Sequence, residues 1–293
     1  MRIVTYNIRY ATSSPFRGEL PWPDRAAPLL AQIRFLTRYP ADTFLCLQEV
    51  LHNQLVDIQT GLNGAKGEDG EWAYIGVGRD DGKTKGEYSP IFYRKSEWEL
   101  LEWKSVWLSE TPEKPSKGWD AASIRILTVG MFKHKSTGTV ILAMTTHLDD
   151  QGSVARREGA KLILDVIHQY RSSEQYKDKI AGFFLAGDFN SQTTQEAYTV
   201  VTSEESPLVD AHDLLPGEMR HGDELTWTGF GYEDEPQTRI DYAFLGPKEE
   251  RQGDGKFPWE VLDYACVPAR FDDGVYLSDH RPVIVDAELK EKK

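Results

Sequence analysis

The sequence predicts an α/β protein built of mixed β-sheets with helices packed outside them. Apolar runs of strand length recur along the chain, including Ile3-Val4-Thr5-Tyr6, Phe44-Leu45-Cys46-Leu47, Val140-Ile141-Leu142-Ala143-Met144 and Phe183-Phe184-Leu185. Between some of them lie stretches with helical spacing, and hairpin-like strand pairs lie elsewhere. Gly, Pro and charge clusters separate the segments, as turns do. At 293 residues and 40% hydrophobic content, the chain can bury one large core or two modest ones. No domain linker or short-period repeat interrupts it, so a single domain over residues 1–293 is expected.

The elements follow in order. Met1 leads into a first strand ending at Asn7. A helix from Asp24 to about Arg38 starts at Pro23-Asp24, buries Leu29, Leu30, Ile33 and Leu36, and stops before Pro40. The strand Thr43–Leu47 precedes a second helix near Leu51–Leu62, with Leu51, Leu55, Ile58 and Leu62 on one face. Strands are then expected at Ala73–Gly78, Ser89–Tyr93, Trp98–Trp107, Ile124–His134 and Val140–Thr146. A third helix runs from Ser153 to about Arg171 with Leu162, Ile163, Val166, Ile167 and Tyr170 as its packing stripe. Strands at Phe183–Ala186, Arg239–Leu245, Tyr264–Val267 and Val283–Leu289 follow, and Val275-Tyr276-Leu277 is a further apolar run. Lys66–Gly70, Asp80–Glu87, Thr111–Gly118, Gly229–Gln237 and Pro247–Phe257 read as surface loops.

Charge and cysteine usage narrow the function classes. The net charge of −13, from 34 basic and 47 acidic side chains, makes a general nucleic-acid binder a poor fit, because such binding neutralises phosphates with Lys and Arg. A local cationic cleft can still hold one phosphate. Cys46 and Cys266 cannot form a disulfide framework, and Cys46, in the middle of an apolar run, reads as a buried hydrophobe. No apolar run is long enough for a membrane span, and no signal-peptide pattern opens the sequence; a cytoplasmic monomer is expected.

The informative residues stand at the tips of these runs. Asn7 closes the first, Gln48-Glu49 the second, His147 follows Val140–Met144, Asp188 and Asn190 follow Phe183–Ala186, and Ser278-Asp279-His280 follows Val275–Leu277. Carboxylates at the ends of buried strands are costly unless a cation or hydrogen bond compensates them. Glu49 together with Asp188, Asn190, Asp241 and Asp279 offers the hard oxygen ligands that Mg²⁺ or Mn²⁺ favours, and closely spaced Cys/His sets typical of structural zinc are absent. His280 has Asp241 as a potential orienting carboxylate, and an imidazole so held can move protons near neutral pH.

In family order, Thr5-Tyr6-Asn7, Leu47-Gln48-Glu49, Gly86-Glu87-Tyr88-Ser89, Thr146-His147-Leu148, Gly187-Asp188-Phe189-Asn190, Arg239-Ile240-Asp241-Tyr242 and Ser278-Asp279-His280 resemble the endonuclease/exonuclease/phosphatase superfamily of metal-dependent phosphoester hydrolases. Gly76–Gly82, Gly86–Tyr93, Trp107–Pro112 and Gly118-Trp119-Asp120 with Arg125 resemble a bacterial and fungal branch of it. The resemblance implies a four-layer α/β sandwich, two packed mixed sheets flanked by helices, with the site at one rim.

It also implies roles. Glu49 would be the principal metal carboxylate, with Asn7 and Asp279 nearby; Asp188, helped by Asn190, would orient and deprotonate the attacking water. His147 and His280, the latter paired to Asp241, would bracket the phosphate, and Tyr88 would hydrogen-bond a phosphate oxygen. Two positions depart from relatives: Arg9 stands where some carry a second metal-binding acid, and Thr146 where many carry Asn. The expected activity is hydrolysis of a small or medium phosphoester in the presence of Mg²⁺ or Mn²⁺, with Arg25, Arg125 and Arg239, and also Arg94, available to hold phosphate. A nuclease that uses Lys83 and Lys85 on the nucleic-acid backbone is the second reading, and a silent binding module the third.

Overall fold

Strands that are apolar on both faces need cover on both sides, and here a second sheet supplies it on one side and helices on the other. The computed structural model describes residues 1–232, 234–248 and 257–290. Its strands are β1 (Arg2–Asn7), β2 (Phe44–Gln48), β3 (Trp72–Ile75), β4 (Ile91–Arg94), β5 (Trp98–Trp107), β6 (Ile126–His134), β7 (Val140–His147), β8 (Ile180–Asp188), β9 (Val209–Asp210), β10 (Arg220–Gly222), β11 (Asp241–Gly246), β12 (Trp259–Cys266) and β13 (Val283–Leu289). Its helices are α1 (Trp22–Leu36), α2 (His52–Asn63), α3 (Ser153–Ser172) and α4 (Glu196–Val201). One sheet runs β10-β12-β13-β1-β2-β4-β3 and the other β5-β6-β7-β8-β11-β9. The pairs β1–β2, β7–β8 and β10–β12 are parallel and lie among antiparallel ones, so both sheets are mixed.

Successive side chains point to opposite faces of a strand, and the alternation sorts these runs into layers. Ile3, Phe44 and Cys46 meet Phe132, Ile141, Ala143, Phe184 and Ala186 between the sheets. Val4, Tyr6, Leu45 and Leu47 face the other way, onto Leu29, Ile33 and Leu36 of α1 and Leu55 and Ile58 of α2. On the far side, Leu142, Met144, Phe183 and Leu185 meet Ile163, Val166 and Ile167 of α3 and Ala197 and Val201 of α4. This is the expected four-layer sandwich. Phe44 anchors its middle, with ring centroids 4.8 Å from Trp98, 5.0 Å from Phe132 and 5.4 Å from Phe184. Burying each such ring contributes about 1.5–3 kcal/mol. Cys46 is a buried free thiol in this layer, as expected.

Several boundaries differ from the sequence reading. α1 starts at Trp22 and takes Pro23 into its first turn, where a missing N–H costs nothing, and it ends at Leu36. β3 stops at Ile75, before Gly76 at φ 124°. β12 begins at Trp259, earlier than Tyr264, because the segment pairs with β13 through a register shift between Val261 and Asp263. The short elements α4, β9 and β10 carry too few residues to show a period. Val275-Tyr276-Leu277 is not a strand: it makes one isolated bridge, Tyr276 to Arg270, after the turn at Gly274. The expected loop Pro247–Phe257 lies mostly outside the described residues, as does position 233 of the loop Gly229–Gln237.

Candidate active site

Strand register alone assembles the centre of the site. His147 is directly opposite Asp188 in the parallel β7–β8 pair, and Asp188 is opposite Asp241 in the antiparallel β8–β11 pair. Three chemically active groups therefore stand abreast at the ends of adjacent strands. On the facing sheet Asn7 is opposite Gln48, which puts Glu49 one residue beyond the strand end. The backbone is constrained there: Glu49 and Asn190 hold φ of 60° and 45°, conformations that side chains other than glycine adopt rarely and mostly at functional sites. Gly187 has φ 148°, and an added Cβ would collide with the Thr146 carbonyl oxygen, so β7 and β8 meet this closely only because the residue before Asp188 is glycine.

The side chains form one hydrogen-bonded set. Asn7 donates Nδ2 to Glu49 Oε1 at 3.0 Å and to Asp188 Oδ2 at 2.9 Å, linking two carboxylates. Its carbonyl oxygen accepts from Arg9 N, so the amide nitrogen, not the oxygen expected to ligate a cation, faces the acids. The second oxygen of Glu49 accepts from Tyr10 N at 3.1 Å. His280 Nδ1 lies 2.8 Å from Asp241 Oδ2, and the Nε2 atoms of His280 and His147 lie 3.6 Å and 3.5 Å from the same Asp188 oxygen. Asn190 donates its backbone N–H to Asp188 Oδ1, and its side chain lies 3.1 Å from His147 Nε2. Ser278 holds Asp279 in place by bonding the Asn7 carbonyl through its hydroxyl, 3.3 Å from Asp279 Oδ1.

Burial and neighbours set the charges. Burial, reinforced by Asp241, pushes the Asp188 carboxyl up to about 7, although His280 and the Asn7 amide oppose the shift. Burial acts upward on Glu49 too, but Arg9, Asn7 and His280 outweigh it and hold that carboxyl below its usual range. Asp279 is raised by burial and by Glu49. The two imidazoles diverge: burial lowers both, yet Asp241 and Asp188 hold His280 up at about 10, whereas His147, beside Arg125 and Arg79, falls well below its ordinary value.

These groups line a cleft of about 1070 Å³ that includes Glu49, His147, Asp188, Asn190, Asp279 and His280. Its donor set suits a hard divalent cation: Glu49, Asp188 and Asp279 converge there, offset mainly by amide N–H groups, Arg9 and His280. Among the described residues, Asp188, Asp241 and His280 also place one ligand atom each within 4.8 Å of one another. The 2.8 Å His280–Asp241 contact makes that trio a hydrogen-bonded relay, with Glu49 and Asp279 left as the carboxylates that face the cleft from the other sheet.

Not every expected residue is there. Arg25 is fully buried, and its guanidinium donates to the carbonyls of Leu20, Ile8, Leu277, Arg9 and Tyr10, so it shapes the loop after β1 and has no donor free for phosphate. Arg239 is turned away onto Asp210 at 2.6 Å, and Arg94 caps the carbonyls of Thr37, Pro40 and Ala41. Tyr88 is buried against the α2 layer, where its hydroxyl donates to the Lys83 carbonyl and stands 3.2 Å from His52, not toward the cleft. Lys83 and Lys85 are exposed, as expected of a solvated loop. Arg125 is at the cleft.

Sequence reasoning assigned no role to Arg9, Arg79, Glu87 or Arg156, all of which line the cleft. Arg9 pairs with Glu19 at 3.1 Å and lies 3.7 Å from Glu49, under the rings of Tyr10 and Phe16. Glu87 binds Arg79 at 2.8 Å and lies 3.7 Å from His147 Nδ1; burial raises it to about 7, although Arg79 opposes the shift. Its signal is present in Gly86-Glu87-Tyr88-Ser89, where the resemblance points to Tyr88 instead.

A sequence model of the endonuclease/exonuclease/phosphatase family matches residues 4–280. Among solved structures, an endonuclease/exonuclease/phosphatase from Bacteroides vulgatus is 33% identical with a TM-score of 0.78, covering 99% of this chain and 98% of that one. The mannosyl-6-phosphatase Bt3783 of Bacteroides thetaiotaomicron is 31% identical with a TM-score of 0.81, covering 99% and 100%. D. rerio TDP2, complexed with a single-strand DNA product, shares the fold at 18% identity and a TM-score of 0.67, covering 98% of each chain. No curated protein matches the sequence. Among the described residues no helix is long and apolar enough to cross a membrane.

Proposed function

On the premise that the chain belongs to the endonuclease/exonuclease/phosphatase family, we propose that it is a Mg²⁺- or Mn²⁺-dependent hydrolase of small or medium phosphoesters. The observation that carries this reading is the placement of His147, Asp188 and Asp241 abreast on three adjacent strands, with His280 and Glu49 completing the same cleft. The 31% identity to a mannosyl-6-phosphatase supports a phosphorylated small molecule as substrate.

Glu49 and Asp279 would hold the divalent cation, with the amide of Asn7 beside them. When bound, such a cation would supply Lewis-acid charge stabilisation to a phosphate oxygen. Asp188 orients the attacking water and accepts its proton, a task suited to a carboxyl raised toward neutrality. Asn190 fixes the carboxylate of Asp188 through its backbone N–H. The water oxygen forms a bond to phosphorus as the bond to the leaving oxygen breaks; that oxygen departs with the electron pair and takes up a proton. His280, held by Asp241 and kept protonated, offsets the developing charge and delivers that proton, while the neutral His147 brackets the phosphate from the other side and Arg125 binds a phosphate oxygen. Positioning and charge stabilisation provide most of the rate.

The test is hydrolysis of an aryl phosphate in EDTA, then after addition of excess Mg²⁺ or Mn²⁺. The expected result is no turnover in EDTA and at least about a hundredfold rise on adding metal, as expected of Lewis-acid charge stabilisation worth several kcal/mol. Turnover insensitive to EDTA, or none from folded protein with either metal, contradicts the reading.

A further inference from the structure

Four arginines line one cleft of a chain that carries 13 more acidic than basic side chains: Arg9, Arg79, Arg125 and Arg156. Two of them, Arg79 and Arg125, lie near enough to His147 for their charge to add to burial in lowering its imidazole. Arg79 is held by Glu87 at 2.8 Å. Arg125 is held by Asp149 at 3.2 Å through Nε and by Asp150 at 2.7 Å through Nη2. Asp149 is itself fixed: burial acts upward on its carboxyl, but the N–H groups of Ala122, Gly152 and Ser123, with Arg125, outweigh it and hold it at about 2. The guanidinium of Arg125 is therefore built into the wall, with 6% of the residue exposed, yet its Nη1 has no partner in the protein. A buried donor of this kind is costly unless something completes it.

The mouth of the cleft has the opposite character. Asp80 and Asp150, both exposed, line it beside the neutral Thr12, Ser13, Gln192 and Gln195. The exposed charges of the cleft are thus acidic, whereas its arginines are less exposed and lie among Glu49, Glu87, Asp188 and Asp279. A nucleic acid or other polyphosphate would bring its flanking phosphates against the rim acids.

We infer that the Arg79–Arg125 corner binds the third non-bridging oxygen of a terminal phosphate, so that the substrate class of this site is the phosphate monoester on an uncharged alcohol, not a phosphodiester. The inference rests on the phosphoester-hydrolase reading above and refines it. A diester has an ester oxygen bearing carbon where the monoester has that third oxygen. It would leave the Nη1 donor of Arg125 unpaired, and sites built to bond a group discriminate strongly against the analogue that lacks it. The reaction is hydrolysis of the monoester dianion and one water to the alcohol and hydrogen phosphate, with no further reactant.

The test compares kcat/KM for para-nitrophenyl phosphate and its methyl diester, which share a leaving group, in wild type, Arg125→Met and Arg125→Lys, with Mn²⁺. Inorganic phosphate is titrated calorimetrically into the same proteins in EDTA, and circular dichroism checks folding. Wild type is expected to favour the monoester by at least about 100-fold, and Arg125→Met to narrow that ratio by at least about 30-fold and weaken phosphate binding by at least about tenfold. Arg125→Lys, which keeps charge but not the planar fork, should fall between. If Arg125→Met does not fold, Arg125→Lys alone decides, with a ratio narrowed by about threefold or more as the supporting result. An equal or better rate on the diester, or an unchanged ratio and unchanged phosphate binding in the folded variants, overturns the inference while leaving the hydrolase reading intact. If neither ester is turned over by folded protein, the hydrolase reading fails instead, and the phosphate titration still decides whether Arg125 completes an anion site.

Discussion

Replacing His280 by alanine is expected to lower kcat by about 10²–10⁴-fold, the range of a positioned proton-transfer group, with the fold intact. Asp241→Asn should lower it by about 10–100-fold, because Asp241 touches the reaction only through the ring it orients. The 2.8 Å contact between His280 Nδ1 and Asp241 Oδ2 is the ground for coupling them. With the ring held there, Nε2 faces Asp188 at 3.6 Å, on the side proposed for the phosphate. Groups that act as one unit lose activity non-additively, so the double variant should be about as slow as His280→Ala alone. Single-turnover rates of the four proteins test this. Losses that multiply, in folded proteins, would show that Asp241 does not act through His280.

Glu49→Gln is expected to fold and to lose metal-dependent turnover, with Mn²⁺ affinity weakened by about 100-fold or more, since hard cations are held chiefly by carboxylate charge. Glu49 stands at the end of a buried strand with φ 60°, and Asn7, Tyr10 N–H and Arg9 all favour its ionised form. Glutamine keeps the shape and removes the charge. Calorimetric titration of wild type and variant in parallel with melting curves reads this directly. Unchanged Mn²⁺ affinity in the folded variant would remove Glu49 from the cation site.

Much of this arrangement was legible because the strands are buried on both faces. Phe183 to Leu185 and Val140 to Met144 show as unbroken apolar runs, and the first ionisable groups beyond them, Asp188 and His147, are cross-strand neighbours. The element before Asp279 and His280 was not legible: both residues reach the cleft as expected, but from an irregular segment that the apolar run Val275–Leu277 made look like a strand. Arginines were the least legible residues. Arg25, Arg239 and Arg94 are taken up by backbone carbonyls or by Asp210, whereas Arg79 and Arg125 are held at the cleft by Glu87 and by Asp149 and Asp150. A long side chain with several donors takes its partner from tertiary structure, and no local spacing in the sequence records which partner that is.

In the proposed reaction, residues from both sheets converge to direct one water onto phosphorus. The most direct measurement is hydrolysis of an alkyl phosphate by the Mn²⁺-loaded protein in H₂¹⁸O, with the products analysed by mass spectrometry after less than one turnover per enzyme. One ¹⁸O atom is expected in the released phosphate and none in the alcohol, with no product from the EDTA-treated protein. Label in the alcohol, or equal product formation in EDTA, would contradict that reaction.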